Sequence, residues 1–344
     1  MTVFNLNAFD EHEQVVFCND EKSGLKAIIC IHSTALGPAV GGCRMWEYTN
    51  DEEAVIDALR LSRGMTYKNA MAGLPFGGGK AVILGDSKTM KSDELFKAYG
   101  RFLNSLNGRY ITAEDVGITT DDMAIVHTET DFVAGLEGKS GDPSPITAYG
   151  VYKGIKAAVQ HKFGRDNLDG INISIQGVGH VGYYLCRYLH DEGAILIVTD
   201  INQESVDRVV TEFNATAVGI DEIYDQDVEI YAPCALGATI NDETINRLKC
   251  SIVAGAANNQ LAEDRHGTEL MQKGILYAPD YVINAGGIIN ISFEENYSLE
   301  NAMAKVDEIY DTLIEVFETS AREGNTTNHI ADQLARERIN RASR

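Results

Sequence analysis

One pattern limits the fold of this 344-residue chain more than any other. An alternating strand, Ile171-Asn-Ile-Ser-Ile175, runs into Gly177-Val-Gly179-His-Val-Gly182 and from there into a helix carrying Leu185 and Leu189. A G-x-G-x-x-G is weak by itself; set between strand and helix it reads as a dinucleotide fingerprint. Gly177 allows the tight turn, Gly179 lets the backbone approach a pyrophosphate, and Gly182 lets helix and strand pack closely. The phosphates then sit at a helix N-terminus, where unpaired N–H groups and the helix dipole favour anions. The next strand, Ile195-Leu-Ile-Val198, leads to Asp200, 18 positions after Gly182. A carboxylate there accepts from a ribose 2′-OH and repels a 2′-phosphate, and Ile201-Asn202-Gln203 add no cation. The reading is NAD rather than NADP. A helix from about Gly150 to Lys162 precedes these strands, and such alternation implies parallel βαβ units in a doubly wound sheet.

Length suggests two domains, and Gly135 to Pro145, rich in glycine and proline, suits a hinge between them. In the first third, Lys26-Ala-Ile-Ile-Cys-Ile-His32 is strand-like. Thr49-Asn-Asp-Glu52 fits a capping box opening a helix with Val55, Ala58 and Leu59 on one face, ending at Gly64. A second helix starts near Ser92, with Leu95, Phe96, Tyr99 and Phe102 inward, and closes at Asn107-Gly108; a short one follows Thr119-Thr120. Near the end, Ser298 to Gly324 reads as one amphipathic helix with Leu299, Val306, Ile309, Leu313 and Val316 inward. The last helix, about Ile330 to Ile339, carries Arg336, Arg338, Arg341 and Arg344; these are read as a solvated face or as charges that complement the helix dipole.

Lys and Arg number 29 and Asp and Glu 51, a net charge of −22. So acidic a surface repels nucleic-acid phosphates and anionic membranes, which excludes both as partners, and there is no 18-residue apolar run. The six cysteines, Cys18, Cys30, Cys43, Cys186, Cys234 and Cys250, form no C-x-x-C pair and lie at no metal-ligand spacing from a histidine. They read as reduced thiols of a cytoplasmic protein without a metal site.

Two lysines stand out against that acidity. Lys68 lies in Gly64-Met-Thr-Tyr-Lys-Asn-Ala70, and Lys80 follows Gly77-Gly-Gly and precedes the apolar run Ala81-Val-Ile-Leu84. Glycines there allow close backbone approach. Ala81 replaces the hydroxyl residue of a phosphate loop, which argues against that reading. Asp115 ends a strand-like segment, Ile111-Thr-Ala-Glu-Asp-Val-Gly117. An α-amino acid needs a cation for its carboxylate, a hydride acceptor facing Cα, and a base for amine and water. Partial burial and a second nearby lysine are the means by which a lysine becomes a base near neutral pH.

With these motifs in order, the chain resembles the glutamate/leucine/phenylalanine/valine dehydrogenases over nearly its whole length. Further carriers are Gly37-Pro-Ala-Val-Gly-Gly42, Gly108-Arg-Tyr-Ile-Thr-Ala-Glu-Asp-Val-Gly117, Ala232-Pro-Cys-Ala-Leu-Gly237, Gly255-Ala-Ala-Asn-Asn-Gln260 and Asn284-Ala-Gly-Gly287. The resemblance implies a two-domain α/β protein. An N-terminal substrate-binding and dimerisation domain with a mixed sheet spans 1–135 and is joined by the C-terminal helix, 326–344; a Rossmann-like NAD-binding domain spans 136–325. It also implies that Lys68 binds the substrate carboxylate, that Lys80 activates water, and that Asp115 exchanges protons with the amine. Thr147 and Asn258 would contact the nicotinamide end of NAD. Hydride transfer from Cα would give an imine that hydrolyses to a 2-oxo acid and ammonia, reversibly. The family forms dimers that assemble further; the apolar N-terminal strand fits at least a dimer, with dimer and octamer both open.

At the family's pocket positions stand Val40, Gly41, Met65, Ala113, Ile288 and Ile291. None can pair with a distal carboxylate, which argues against glutamate and for branched-chain amino acids, leucine with valine and isoleucine. Ile288 and Ile291 stand one helical turn apart. Three departures keep phenylalanine or tryptophan open as substrates: Gly79 where alanine is usual, Cys43 where threonine is common, and a shorter hinge around Gly138-Lys-Ser-Gly141. A non-catalytic NAD-binding protein is the remaining alternative, and the presence of Lys68, Lys80 and Asp115 argues against it.

Overall fold

The computed structural model describes residues 2–136 and 141–342. Part of the expected hinge, 137–140, including Gly138, and the terminal Arg344 lie outside the described residues. Two compact units emerge: Met1–Gly141 with Glu294–Tyr297 and Ala335–Arg344, and Asp142–Phe293 with Ser298–Leu334.

The first unit is built on strands β1 (Gln14–Asp20), β2 (Leu25–Ser33), β3 (Ala39–Trp46), β4 (Gly77–Leu84) and β5 (Tyr110–Glu114), with helices α1 (Asp51–Met71), α2 (Asp93–Ser105) and α3 (Thr120–His127). The sheet order is β1-β2-β4-β3-β5. It is mixed: β1 and β4 run antiparallel to β2, while β3 runs parallel to β4 and β5. Strand alternation divides the apolar residues between two faces. Ile29, Ile31, Ala81 and Ile83 pack with Leu95, Phe96, Tyr99 and Leu103 of α2. Ile28, Cys30 and Val82 pack with Ala54, Val55, Ala58 and Leu59 of α1. Both faces of the central strands are covered, which explains their nearly continuous apolar runs.

Helix α1 corrects two expectations. It runs through Gly64 to Met71, because its buried face continues with Thr66, Tyr67, Asn69 and Ala70. Its N-cap is Asn50, whose side chain accepts from Glu53 N at 3.0 Å, while Glu53 Oε2 accepts from Thr49 N at 2.9 Å. The cap therefore lies one residue later than Thr49. Helix α2 begins after Ser92, which accepts from Leu95 N, and α3 opens with a capping box between Thr119 and Asp122.

The second unit contains α4 (Ser144–Phe163), β6 (Asn172–Gln176), α5 (His180–Asp191), β7 (Ile195–Thr199), α6 (Gln203–Phe213), β8 (Thr216–Ala217), β9 (Ile230–Pro233), β10 (Ile252–Val253), α7 (Arg265–Gln272), β11 (Leu276–Tyr277), α8 (Asp280–Ile283), α9 (Gly286–Ile291) and α10 (Leu299–Glu323). Its sheet order is β11-β10-β9-β6-β7-β8, with every pairing parallel. This is the Rossmann-like arrangement expected from the alternation. The order reverses at β6, so the carboxyl end of β6 lies at the topological switch point. Helix α10 begins at the Ser298 cap and ends at Gly324 in the left-handed conformation, φ +70°. Leu299, expected inward, is exposed in the first turn.

The last helix, α11 (Thr327–Ala342), corrects the reading of its arginines. Arg338 Nη1 donates to the carbonyls of Met71 at 2.8 Å and Ala70 at 3.3 Å, capping the C-terminus of α1 with a cation. Arg336 Nε donates to Tyr67 Oη at 2.7 Å. These two close onto α1 instead of forming a solvated face.

The cap assignment has a direct consequence. Asn50→Ala should lower stability by about 1 kcal/mol, seen as a lower thermal midpoint, while Thr49→Ala should leave the midpoint near wild type. A larger loss at Thr49 would contradict the capping geometry.

Candidate active site

In the first unit the site grows from glycines. A Cβ at Gly78 would lie 2.0 Å from Thr66 N, so α1 rests directly on the backbone of β4. Asn69 ties the contact by donating from Nδ2 to Gly77 O at 2.7 Å. By alternation Gly78, Lys80 and Val82 face α1, whereas Gly79, Ala81 and Ile83 face α2. A Cβ at Gly79 would meet the Tyr110 ring at 2.6 Å. Gly79 thus faces away from the Lys80 side, which removes it as an argument for an aromatic substrate. Cys43, the second departure, is a buried residue of the α2-side core.

Lys80 is buried, and its Nζ donates to Asp115 Oδ2 at 2.6 Å. Asp115 follows β5 and approaches β3 closely, because a Cβ at Gly42 would lie 2.9 Å from Asp115 Cβ. Arg44, two residues further along β3, donates from Nε to the same Oδ2 at 3.1 Å. Burial opposes ionisation of Asp115, but the Lys80 and Arg44 charges outweigh it and hold the carboxyl below its ordinary range. Gly41 and Met65 adjoin, with Met65 Cγ 3.1 Å from where a Gly41 Cβ would sit. Lys68 is three residues from Met65 on α1 and shares its side of the helix. Ala113 pairs with Gly42 across β3 and β5, and Val40 pairs with Ile111. By register and alternation Val40 and Ala113 therefore share the α1-side face with Lys80, and Gly41 adjoins Met65. Ile288 and Ile291 lie on α9 of the second unit.

In the second unit, Gly177 has φ +99°, and the loop after β6 opens α5 at Gly179 without a side-chain cap. A Cβ at Gly182 would lie 2.1 Å from Gly177 O, whereas one at Gly179 would meet nothing within 4 Å. That is the arrangement a pyrophosphate needs: helix closed against the turn at Gly182, open space at Gly179. Asp200 Oδ2 accepts from Val178 N at 2.7 Å and Oδ1 from Asn202 N at 2.9 Å, so the acidic residue also holds the glycine loop. Thr147 sits in the first turn of α4, its Oγ1 3.0 Å from where a Gly287 Cβ would be. Asn258 Oδ1 accepts from Asn284 Nδ2 at 2.8 Å, and the same amide donates to Ala256 O at 3.0 Å. The 232–237 segment joins the parts: Ala235 Cβ lies 2.7 Å from a Gly177 Cβ position, and Asn258 O 2.7 Å from that of Gly237.

Sequence reasoning missed Arg44, Asp57 and Asn284 as site residues. Arg44 follows the glycines of the Gly37 to Gly42 motif and Asn284 begins the last motif, so both signals were present without a partner to interpret them. Nothing local marks Asp57.

A buried lysine paired with a carboxylate in one unit and a parallel sheet whose glycine turn opens a helix in the other define the fold class of a two-domain, nucleotide-dependent dehydrogenase. Residues 12–132 match the model of the Glu/Leu/Phe/Val dehydrogenase dimerisation domain, and residues 198–342 that of Glutamate/Leucine/Phenylalanine/Valine dehydrogenase. Leucine dehydrogenase of Bacillus subtilis (strain 168) is 59% identical, covering 100% of this chain and 96% of its own. Leucine dehydrogenase of Thermoactinomyces intermedius is 60% identical, over 98% of this chain and 94% of its own. The crystal structure of L-tryptophan dehydrogenase from Nostoc punctiforme superposes with a TM-score of 0.88 at 50% identity, over 97% of both chains. The chain belongs to the Glu/Leu/Phe/Val dehydrogenase family. It is an NAD-dependent amino-acid dehydrogenase, and the family's reaction is reversible oxidative deamination.

The charge cluster around Asp115 sets a stability that depends on pH. A carboxyl held below its unfolded value stabilises the fold above that value, and the contribution is lost as pH falls through the folded one. The thermal midpoint of Asp115→Asn should lie below wild type at neutral pH, and the gap should narrow below about pH 4. A gap constant from neutral pH to pH 3 would contradict the ion cluster.

Proposed function

We propose that this chain acts on branched-chain L-amino acids, leucine with valine and isoleucine, converting them to 2-oxo acids and ammonia. The observation that carries the chemistry is the 2.6 Å contact between buried Lys80 Nζ and Asp115 Oδ2, on the face of the sheet that α1 covers with Met65 and Lys68. Aliphatic selectivity is supported by Val40 and Ala113, which share the α1-side face of the sheet with Lys80, and by Met65 on α1. A distal carboxylate among such groups would lose its hydration without gaining a partner. The high identity to two relatives named leucine dehydrogenase agrees with this reading.

Lys68 binds the substrate carboxylate as a point charge. Lys80 takes a proton from the water that attacks the imine carbon. Asp115 accepts and returns protons at the substrate amine, and its contact with Nζ gives protons a path between the two groups. NAD, when bound, supplies the hydride acceptor for Cα. Gly177, Gly179 and Gly182 would cradle its pyrophosphate, Asp200 would take the ribose hydroxyls, and Thr147 and Asn258 would hold its nicotinamide end.

The same proposal assigns substrate binding and dimerisation to residues 1–135 with 326–344 and NAD binding to 136–325. A homo-oligomer, dimer or octamer, is supported by the match of 12–132 to a dimerisation-domain model and by exposed Phe17 on the edge strand β1. The six free cysteines fit a cytoplasmic protein. Among the described residues no helix is long and apolar enough to cross a membrane.

A panel of L-amino acids with NAD, followed by NADH absorbance, tests the substrate assignment: kcat/KM should rank leucine, valine and isoleucine above phenylalanine and tryptophan, and the reverse order would overturn it. Lys80→Ala should lower kcat by about 100-fold or more while NADH binding, read by fluorescence, persists. Turnover near wild type would remove Lys80 from the mechanism. Asp200→Gly should weaken NAD use and raise the NADP-to-NAD ratio of kcat/KM; an unchanged ratio would mean that Asp200 does not read the ribose.

A further inference from the structure

Behind the Lys80 and Asp115 pair lies a chain of charges that no substrate atom needs to touch. Arg44 uses both ends of its guanidinium: Nε donates to Asp115 Oδ2 at 3.1 Å, and Nη1 donates to Asp57 Oδ2 at 3.0 Å. Asp57 Oδ2 also accepts from Tyr48 Oη at 2.7 Å. Asp57 belongs to α1, the helix that carries Met65 and Lys68, while Arg44 belongs to β3 and Asp115 to the turn after β5. A rigid planar fork between two carboxylates fixes both, which a single ammonium cannot do.

We infer that Arg44 is a positioning residue, which clamps the Asp115 carboxylate against Lys80 and ties it to α1 in the orientation and charge state that proton transfer requires. The inference rests on the proposed role of Asp115 and adds a residue and a mechanism to it. Arg44 and Lys80 converge on one oxygen of Asp115, so the carboxylate cannot rotate without losing both. The other titratable groups close to the cluster are Tyr48, Tyr110 and Cys43. Burial pushes each of them up, the thiol to about 12, and the charged groups on the elements packed there are Lys80, Asp115, Arg44, Asp57 and, further along α1, Lys68. The Arg44 charge is one of the two that hold the Asp115 carboxyl below its ordinary range, so removing it makes that carboxyl bind its proton more tightly.

The test is the pH dependence of kcat/KM for leucine and NAD in the full chain. Arg44→Gln should lower kcat about tenfold or more with the KM for NAD unchanged, and the limb of the profile that reports the Asp115 carboxyl should move up by about one pH unit. Arg44→Lys should return the limb to its wild-type position but restore kcat only in part. A wild-type profile and kcat in Arg44→Gln would overturn the inference, and so would a limb displaced equally in Arg44→Lys. Should Arg44→Gln fail to fold, Asp57→Asn, which keeps every cation, takes its place: kcat should fall severalfold with NADH binding retained, and wild-type kcat would overturn the clamp. Asp115→Asn separates the two levels. If it is inactive while Arg44→Gln behaves as wild type, only the clamp is lost; if it turns over normally, the proton-transfer role of Asp115 falls and the clamp with it.

Discussion

The first unit is organised around a buried ammonium. Lys80 projects from the middle of β4, where a charge without a partner would be costly, and Asp115 supplies that partner at 2.6 Å. Much of the local architecture serves to bring the carboxylate there. Gly42 leaves room beside β3, the turn after β5 delivers Asp115, and Arg44 holds the carboxylate from the far side. The glycines before Lys80 have a related purpose, since Gly78 allows α1 to lie on the strand and thereby places Met65 and Lys68 on the face where Lys80 emerges.

The second unit solves a different problem by similar means. Its proposed ligand is anionic, in a chain of net charge −22, and the glycine turn answers that with backbone groups. The open space at Gly179 and the uncapped start of α5 offer N–H groups, and the close approach at Gly182 holds the turn in place. Asp200 serves both the loop and the expected ribose contact, because Val178 N–H already binds one of its oxygens.

Much of this was legible in the residues. The strand, glycine and helix series around Gly177 announced the parallel sheet, and the helix starts near Ser92 and after Thr119 and the stop at Gly324 agree with the structure. Two local signals mislead at α1: the buried face that continues to Ala70 outweighs the glycine at Gly64, and Asn50 rather than Thr49 takes the cap. The arginines of α11 looked like solvated charges because their acceptors, Tyr67 Oη and the carbonyls at the end of α1, lie hundreds of positions earlier in the chain.

The sequence by itself determined the α/β class, the NAD fingerprint with Asp200, and the identity of the two lysines and the aspartate, because each rests on periodicity or on residue types at short spacing. Only the tertiary structure decided which of these groups act as one. Strand parity put Gly79 against Tyr110 and Lys80 toward α1, and the mixed sheet order placed β3 between β4 and β5 so that Arg44 could reach Asp115. The physical reason is that a salt bridge depends on distance in space, and residues 44, 57, 80 and 115 come together only when the sheet has formed.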